Sequence, residues 1–259
     1  MRVLLYLLTI VAALTRFNST KVMRVFLASF TLAIAVCLGT ATRGADLRLD
    51  NSGSAEKHRT YSTRFPGVEN PISEGGNWIN GQAAGIDWAN VRTTPGFAFG
   101  TESGEVNYDD STALLAGAWG PNQTVQARVR SLNQKQDVYE EVELRLRSSL
   151  LAHQATGYEI DFRCSKRAKA YSEIVRWDGP LGRFTYLKRG EGSRYGVKNG
   201  DVVKATIVGD VITVYVNGVQ TLKVTDHAYT GGSPGMGFYI QEASSGNDDY
   251  GFTSFEASD

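Results

Sequence analysis

The sequence predicts an all-β fold, a sandwich of two antiparallel sheets, and three observations carry that expectation. From Thr124 onward, short segments alternate apolar and polar residues with a period of two. Glycine, asparagine or aspartate ends each segment at near-regular intervals, as turns between strands require. No stretch after residue 45 repeats its apolar residues convincingly at helical spacing. Strands this numerous exceed what one flat sheet usually carries, so two sheets packed face to face are expected.

In chain order, residues 1–45 read as a targeting segment. The run "MRVFLASFTLAIAVCLGTA", Met23 to Ala41, has a basic start, an apolar middle and small residues at a cut after Ala41, with a second cut site after Ala45. Met23 is the candidate true initiator, because the earlier apolar run from Val3 to Leu14 precedes a complete signal of its own. Neither run reaches the roughly 20 apolar residues of a membrane-spanning helix, so no stable span is expected after cleavage and the mature chain is expected to be secreted or periplasmic. Cys37 falls inside this segment, which leaves Cys164 as the single cysteine of the mature chain; it excludes an intramolecular disulfide and reads as a buried small hydrophobe.

Residues 46–259 read as one domain. Its first part, to Leu115, is less periodic, carries Trp78 and Trp88, and is expected to hold the first strands and long loops. "TVQARVRS" then places Val125, Ala127 and Val129 on one face and Gln126, Arg128 and Arg130 on the other. "EVELRLR" sets Val142, Leu144 and Leu146 against Glu141, Glu143, Arg145 and Arg147, and "YEIDFRC" sets Tyr158, Ile160 and Phe162 against Glu159, Asp161 and Arg163. Further strands are expected at Ala170 to Trp177, Phe184 to Arg189, Val202 to Val208, Val211 to Val216, Val219 to Thr225, Gly235 to Ile240 and Tyr250 to Ala257. Gly209-Asp210 and Asn217-Gly218 are two-residue turns, since an Asn-Gly pair readily takes the positive φ of a tight hairpin.

Composition narrows the partners. With 27 basic and 27 acidic side chains, net charge supplies no drive toward nucleic acid or a membrane surface, so any partner is recognised locally. The strongest local feature is the charged row Arg128, Arg130, Glu141, Glu143, Arg145, Arg147, Glu159, Asp161 and Arg163. If its three strands share a sheet, arginines pair with carboxylates and still offer forked donors to a sugar hydroxyl or a uronate, while Trp177 and Tyr186 supply a flat apolar platform for a pyranose ring. The competing reading is an ion-paired outer surface with Trp177 in the core.

"DVITVYVNGVQTLKVTD" followed by "GGSPGMGFYI" and "DDYGFTSFEAS" resembles the carboxyl-terminal half of concanavalin A-like lectin/glucanase domains, particularly their laminin-G-like and 3-keto-disaccharide-hydrolase-like branches. The resemblance runs from about Tyr158 to the end, and implies an antiparallel jelly-roll sandwich that binds a polysaccharide or oligosaccharide on its concave sheet. It also suggests two enzymatic alternatives. The laminarinase-type relatives use a Glu-Asp-Glu strand motif, which "YEIDFRC" begins with Glu159 and Asp161 but does not complete, since Arg163 and Cys164 stand where the second glutamate belongs. The alginate-lyase type uses an Arg-x-Glu-Leu-Arg strand, of which Glu143, Leu144 and Arg145 are present and the first arginine is replaced by Glu141; the lyase Gln-x-His motif is absent and "YLKRG", with Tyr186, precedes the Asn-Gly hairpin. No catalytic residue is assigned, and a non-catalytic envelope or adhesion module is the third alternative.

His58, His153 and His227 are too widely spaced for a zinc motif and read as surface residues. No cofactor is expected except calcium, for which "GNDDYG" offers Asn247, Asp248 and Asp249; a polar turn is the competing reading.

Overall fold

The computed structural model describes residues 58–84, 87–104, 108–134, 139–241 and 246–259. Residues 1–45, expected to be a targeting segment and including Cys37, lie outside them. Fifteen strands form: β1 (Thr60–Thr63), β2 (Trp78–Asn80), β3 (Arg92–Thr94), β4 (Phe97–Phe99), β5 (Ser111–Leu115), β6 (Gln123–Ser131), β7 (Tyr139–Leu151), β8 (Gln154–Arg163), β9 (Tyr171–Gly179), β10 (Phe184–Glu191), β11 (Val202–Val208), β12 (Val211–Val216), β13 (Val219–Thr225), β14 (Ser233–Gln241) and β15 (Tyr250–Ser258). An eight-stranded sheet runs β13-β12-β11-β6-β15-β4-β3, with β1 paired to β15, and a seven-stranded sheet runs β10-β9-β8-β7-β14-β5-β2. Every pairing is antiparallel.

The alternation explains how the sheets meet. Val125, Ala127 and Val129 of β6 share one buried core with Val142, Leu144 and Leu146 of β7 and Tyr158, Ile160 and Phe162 of β8. Burying these side chains is the main stabilising term, at roughly 25 cal/mol per Å² of apolar surface removed from water. Cys164 is buried in the same core as a free thiol. The Asn217-Gly218 turn forms as expected, with φ of 51° and 77° between β12 and β13.

One expectation fails here. The charged strands do not share a sheet: β6, with Arg128 and Arg130, belongs to the eight-stranded sheet, whereas β7 and β8 belong to the seven-stranded one. Because apolar residues of both sheets turn inward to one core, the polar residues of β6 face the opposite side of the molecule from those of β7 and β8. Arg128 is exposed and donates to the Gly200 carbonyl at 2.9 Å, and the Arg130 guanidinium lies over the Phe97 ring at 4.6 Å.

Arg147 also leaves the row. Counting by twos from Glu141 puts it beside Arg145, but the β7/β8 register shifts between Leu146 and Ser149, and Arg147 takes a φ of 46°. A bulge adds a residue to one strand and re-aims the side chain. Arg147 therefore donates to the carbonyls of Pro121 (2.7 Å), Tyr229 (2.8 Å) and Gly209 (2.6 Å), fastening β7 to three loops. Gly157 and Gly232 make room for the bulge, since a Cβ on either would come within 2.6 Å of the Arg147–Ser148 backbone.

Candidate functional site

The site follows from strand register. Across β7 and β8, Glu141 stands opposite Arg163, Glu143 opposite Asp161 and Arg145 opposite Glu159. The rows continue onto β9 and β10, where Asp161 meets Glu173 and Glu173 meets Arg189, while Glu159 meets Val175 and Val175 meets Tyr186. On the other flank, β14 sets Gly237 opposite Glu143 and Tyr239 opposite Glu141. Directly opposed residues hold their Cβ atoms about 5 Å apart, so one outer face concentrates ionic groups from four strands, flanked by β14, into one patch.

This patch is the floor of a groove of about 300 Å³, lined by Asp110, Glu141, Glu143, Glu159, Asp161 and Glu173 with Tyr108, Tyr139, Tyr171, Trp177, Phe184, Tyr186 and Tyr239 among its walls. A second small apolar cluster, Trp88 with Ala155, Val175 and Trp177, covers one part of the same sheet face. Trp177 meets Trp88 edge-on with ring centroids 5.3 Å apart, and its indole N–H donates to Glu159 Oε2 at 2.7 Å. It is buried, and so braces the floor more than it offers a platform. Tyr186 is the opposite case, 59% exposed with its ring edge-on to Phe184 at 5.2 Å.

A larger hollow of about 620 Å³ lies beside Arg92 and Arg130 on the eight-stranded sheet, lined by Phe97 and Phe99. Size does not decide between the two. The smaller groove joins convergent, desolvated titratable groups to aromatic walls, which is the stronger mark of a working site.

Arg145 organises the floor. Its guanidinium bonds Glu143 at 2.6 Å, pairs closely with Glu159 and reaches Asp110 at 3.5 Å, all of them buried. Burial works against its charge, yet Glu159, Glu143, Asp110 and Asp161 outweigh that and hold its pKa above the ordinary arginine range. Its Nη1 and Nη2 donors are committed to these acids and to Thr112 Oγ1 at 3.2 Å, while its buried Nε meets no hydrogen-bond acceptor among the described residues. Arg163 lies over the Tyr139 ring at 4.0 Å and donates to the Lys169 carbonyl at 3.2 Å. The arginine-rich surface for polyanions is thereby corrected: two of its five arginines sit on the other sheet, Arg147 is turned away, and Arg145 is sequestered among carboxylates. What faces the groove is mainly acidic and aromatic, with Arg189 of β10, paired to Glu173, as the one arginine in its lining among the described residues.

The carboxyl groups are far from their solution behaviour. Burial pushes Glu141 up to about 7, against a hydrogen bond donated by the Tyr171 hydroxyl. Burial, followed by the charges of neighbouring acids, holds Asp110, Glu143 and Asp161 well above the usual carboxylate range. Tyr186 rises to about 12, through burial and then the charges of Asp161 and Glu141 beneath it. The carboxylates fall into two triads sharing Glu143, namely Asp110/Glu143/Glu159 and Glu141/Glu143/Asp161, each with one oxygen per residue within 4.8 Å of the others.

Other candidates lie elsewhere. Asn247, Asp248 and Asp249 form a single 3-10 turn before β15, where Asn247 Nδ2 donates to the Glu102 carbonyl at 2.7 Å; among the described residues the carboxylates clustered closely enough to share an ion are those of the groove. His153 and His227 are exposed beside Asp87 and Asp210, and His58 bonds the Asp259 carbonyl, so the three stay apart. Sequence reasoning missed Asp110, Glu173, Tyr171 and Tyr239. Of these, Glu173 and Tyr171 were both reachable by extending the period-two count back from Trp177.

No protein-family model matches the chain, and no curated protein matches it in sequence. Solved structures do match its fold. The carbohydrate recognition domain of Emp46p superposes with a TM-score of 0.52 at 10% identity, covering 76% of this chain and 95% of that one. The carbohydrate-binding module CBM66 from Bacillus subtilis gives 0.47 at 14% identity over 66% and 95% of the two chains, and porphyranase B from Zobellia galactanivorans gives 0.46 at 13% over 78% and 93%. The two packed antiparallel sheets and the likeness to the Emp46p domain give a jelly-roll sandwich of concanavalin A-like fold, as the carboxyl-terminal motifs implied.

Proposed function

We propose that the protein is an exported carbohydrate-binding sandwich that holds a polysaccharide or oligosaccharide in the groove of its seven-stranded sheet. The observation that carries this reading is the pairing, in one groove, of an exposed Tyr186 and its aromatic neighbours with a floor of buried carboxyl groups. A pyranose ring has an apolar C–H face and a rim of hydroxyls. Tyr186, Tyr108 and Phe184 suit the face, and the carboxylates, which accept strong hydrogen bonds, suit the rim. The floor favours neutral or amino sugars over uronates, because its carboxyl groups already resist one another's ionisation and a uronate would add one more negative charge among them. The likeness to a carbohydrate recognition domain supports the same class of ligand, and the basic-then-apolar segment from Met23 to Ala41 supports export.

A second reading, glycoside hydrolysis, is favoured by one specific feature. Glu141, Glu143 and Asp161 converge within 4.8 Å, close to the about 5 Å carboxyl spacing of retaining hydrolysis, and Glu141 at about 7 is poised as an acid near neutrality. Incubating the protein with a panel of neutral, amino and acidic polysaccharides separates the readings. Retardation in affinity electrophoresis without new reducing ends is the expected result, retardation with reducing ends makes it a hydrolase, and neither would overturn carbohydrate recognition.

A further inference from the structure

The two carboxylate triads differ in what balances them. Arg145 fills the triad of Asp110, Glu143 and Glu159, reaching all three acids. Among the described residues no lysine or arginine comes within ion-pair distance of Glu141 or Asp161, the two acids that complete the other triad with Glu143; Arg163 and Arg189 act on Glu141, and Arg145 on Asp161, only from farther off. Asp161 is only 5% exposed, and its Oδ1 is shielded from solvent without any hydrogen-bond partner. A buried acceptor left unmet is destabilising, so the position asks for a bound group that the polypeptide does not supply.

We propose that Glu141, Glu143 and Asp161 form a binding site for a divalent cation of the calcium class. All the ligand atoms are carboxylate oxygens, hard donors that suit calcium and offer no sulfur or imidazole to attract zinc. Their separations, at most 4.8 Å, are what one ion can span with bonds of about 2.4 Å on either side. A shared proton links two oxygens, whereas an ion satisfies three at once. Gly237 leaves room for the shared acid, since a Cβ there would lie 2.1 Å from Glu143 Oε2, the oxygen that Arg145 holds at 2.6 Å. Three carboxylates leave an ion coordination positions toward the groove, where sugar hydroxyls would complete its shell; that extension alone rests on the carbohydrate reading.

The test uses metal without sugar, so its failure and that of carbohydrate recognition remain distinct. Full-length protein stripped with a chelator is titrated with Tb³⁺, following emission sensitised by Trp177, whose indole nitrogen lies 2.7 Å from Glu159 in the same floor, and Ca²⁺ is then added as competitor. Saturable emission displaced by Ca²⁺, with a melting temperature that rises with Ca²⁺, is expected. Asp161→Asn and Glu141→Gln should each weaken binding at least about tenfold, while Asp248→Asn in the carboxyl-terminal turn leaves it unchanged. Melts in chelator establish that both groove variants are folded. The proposal is overturned if wild-type protein shows neither saturable emission nor a Ca²⁺-dependent melt, or if both groove variants bind as tightly as wild type.

Discussion

On the eight-stranded sheet, Gln126 and Arg128 of β6 and Glu256 of β15 point outward and stay exposed or half-buried; on the seven-stranded sheet, Glu143 and Arg145 of β7 and Glu159 and Asp161 of β8 point outward and are buried. The local alternation is the same. The difference lies in what stands over each sheet: Tyr108, Phe184 and the Trp88 cluster cover much of the second face, whereas on β6 the Phe97 ring meets Arg130 and Arg128 stays exposed. An outward position is therefore not the same as a solvated one. Ionic groups under cover must neutralise one another, which turns a row of surface charges into a preorganised site.

The sharpest way to break that contrast is to remove the shared cation. Arg145→Ala leaves Glu143, Glu159 and Asp110 buried without their counter-charge, and should cost about 3–5 kcal/mol in urea unfolding. Arg128→Ala, on the exposed face, should stay within about 0.5 kcal/mol.

The next effect comes from a carboxyl group between the sheets. Glu102 accepts hydrogen bonds from Ser111 Oγ and Tyr250, and burial raises it to about 7 in spite of them. In the unfolded chain it ionises near 4.5, so between about pH 4.5 and 7 the folded state binds the extra proton. Stability should therefore fall as pH rises through that window, by roughly 3 kcal/mol for this group, and flatten above it. Glu102→Gln should remove that share of the slope in denaturant melts at pH 5 and pH 8. Glu141, raised to about 7 by burial, adds a slope of the same sign.

Much of the scaffold was legible because alternation is a long-range signal once strands exceed about six residues. The strands from β6 to β15 appear where the apolar periods placed them, within a few residues at most ends. β1 to β5 run only 3–5 residues each, too short for a period to declare itself. The groove was legible in part. Glu141, Glu143, Arg145, Glu159, Asp161 and Arg163 do share one face, but sheet assignment is a property of pairing and not of any single strand, so Arg128 and Arg130 were grouped with partners they never meet. Arg147 was misplaced because a period-two count cannot see a bulge; the glycines at 157 and 232 were its only trace. Asp110 precedes β5 in a loop and carried no signal at all. Gly237 did, within "PGMGFYI", where its missing side chain reads in hindsight as room for Glu143 and Arg145.

The smallest structural perturbation is also the most direct test of the site. Tyr186→Ala and Arg128→Ala both alter exposed side chains, on opposite sheets, and each should leave the fold intact. Retention on whichever glycan binds the wild type, measured by affinity electrophoresis of the two variants side by side, should drop about tenfold for Tyr186→Ala, the worth of one aromatic contact, and not change for Arg128→Ala. Undiminished retention by the tyrosine variant together with loss by the arginine variant would place recognition on the other sheet and contradict the groove.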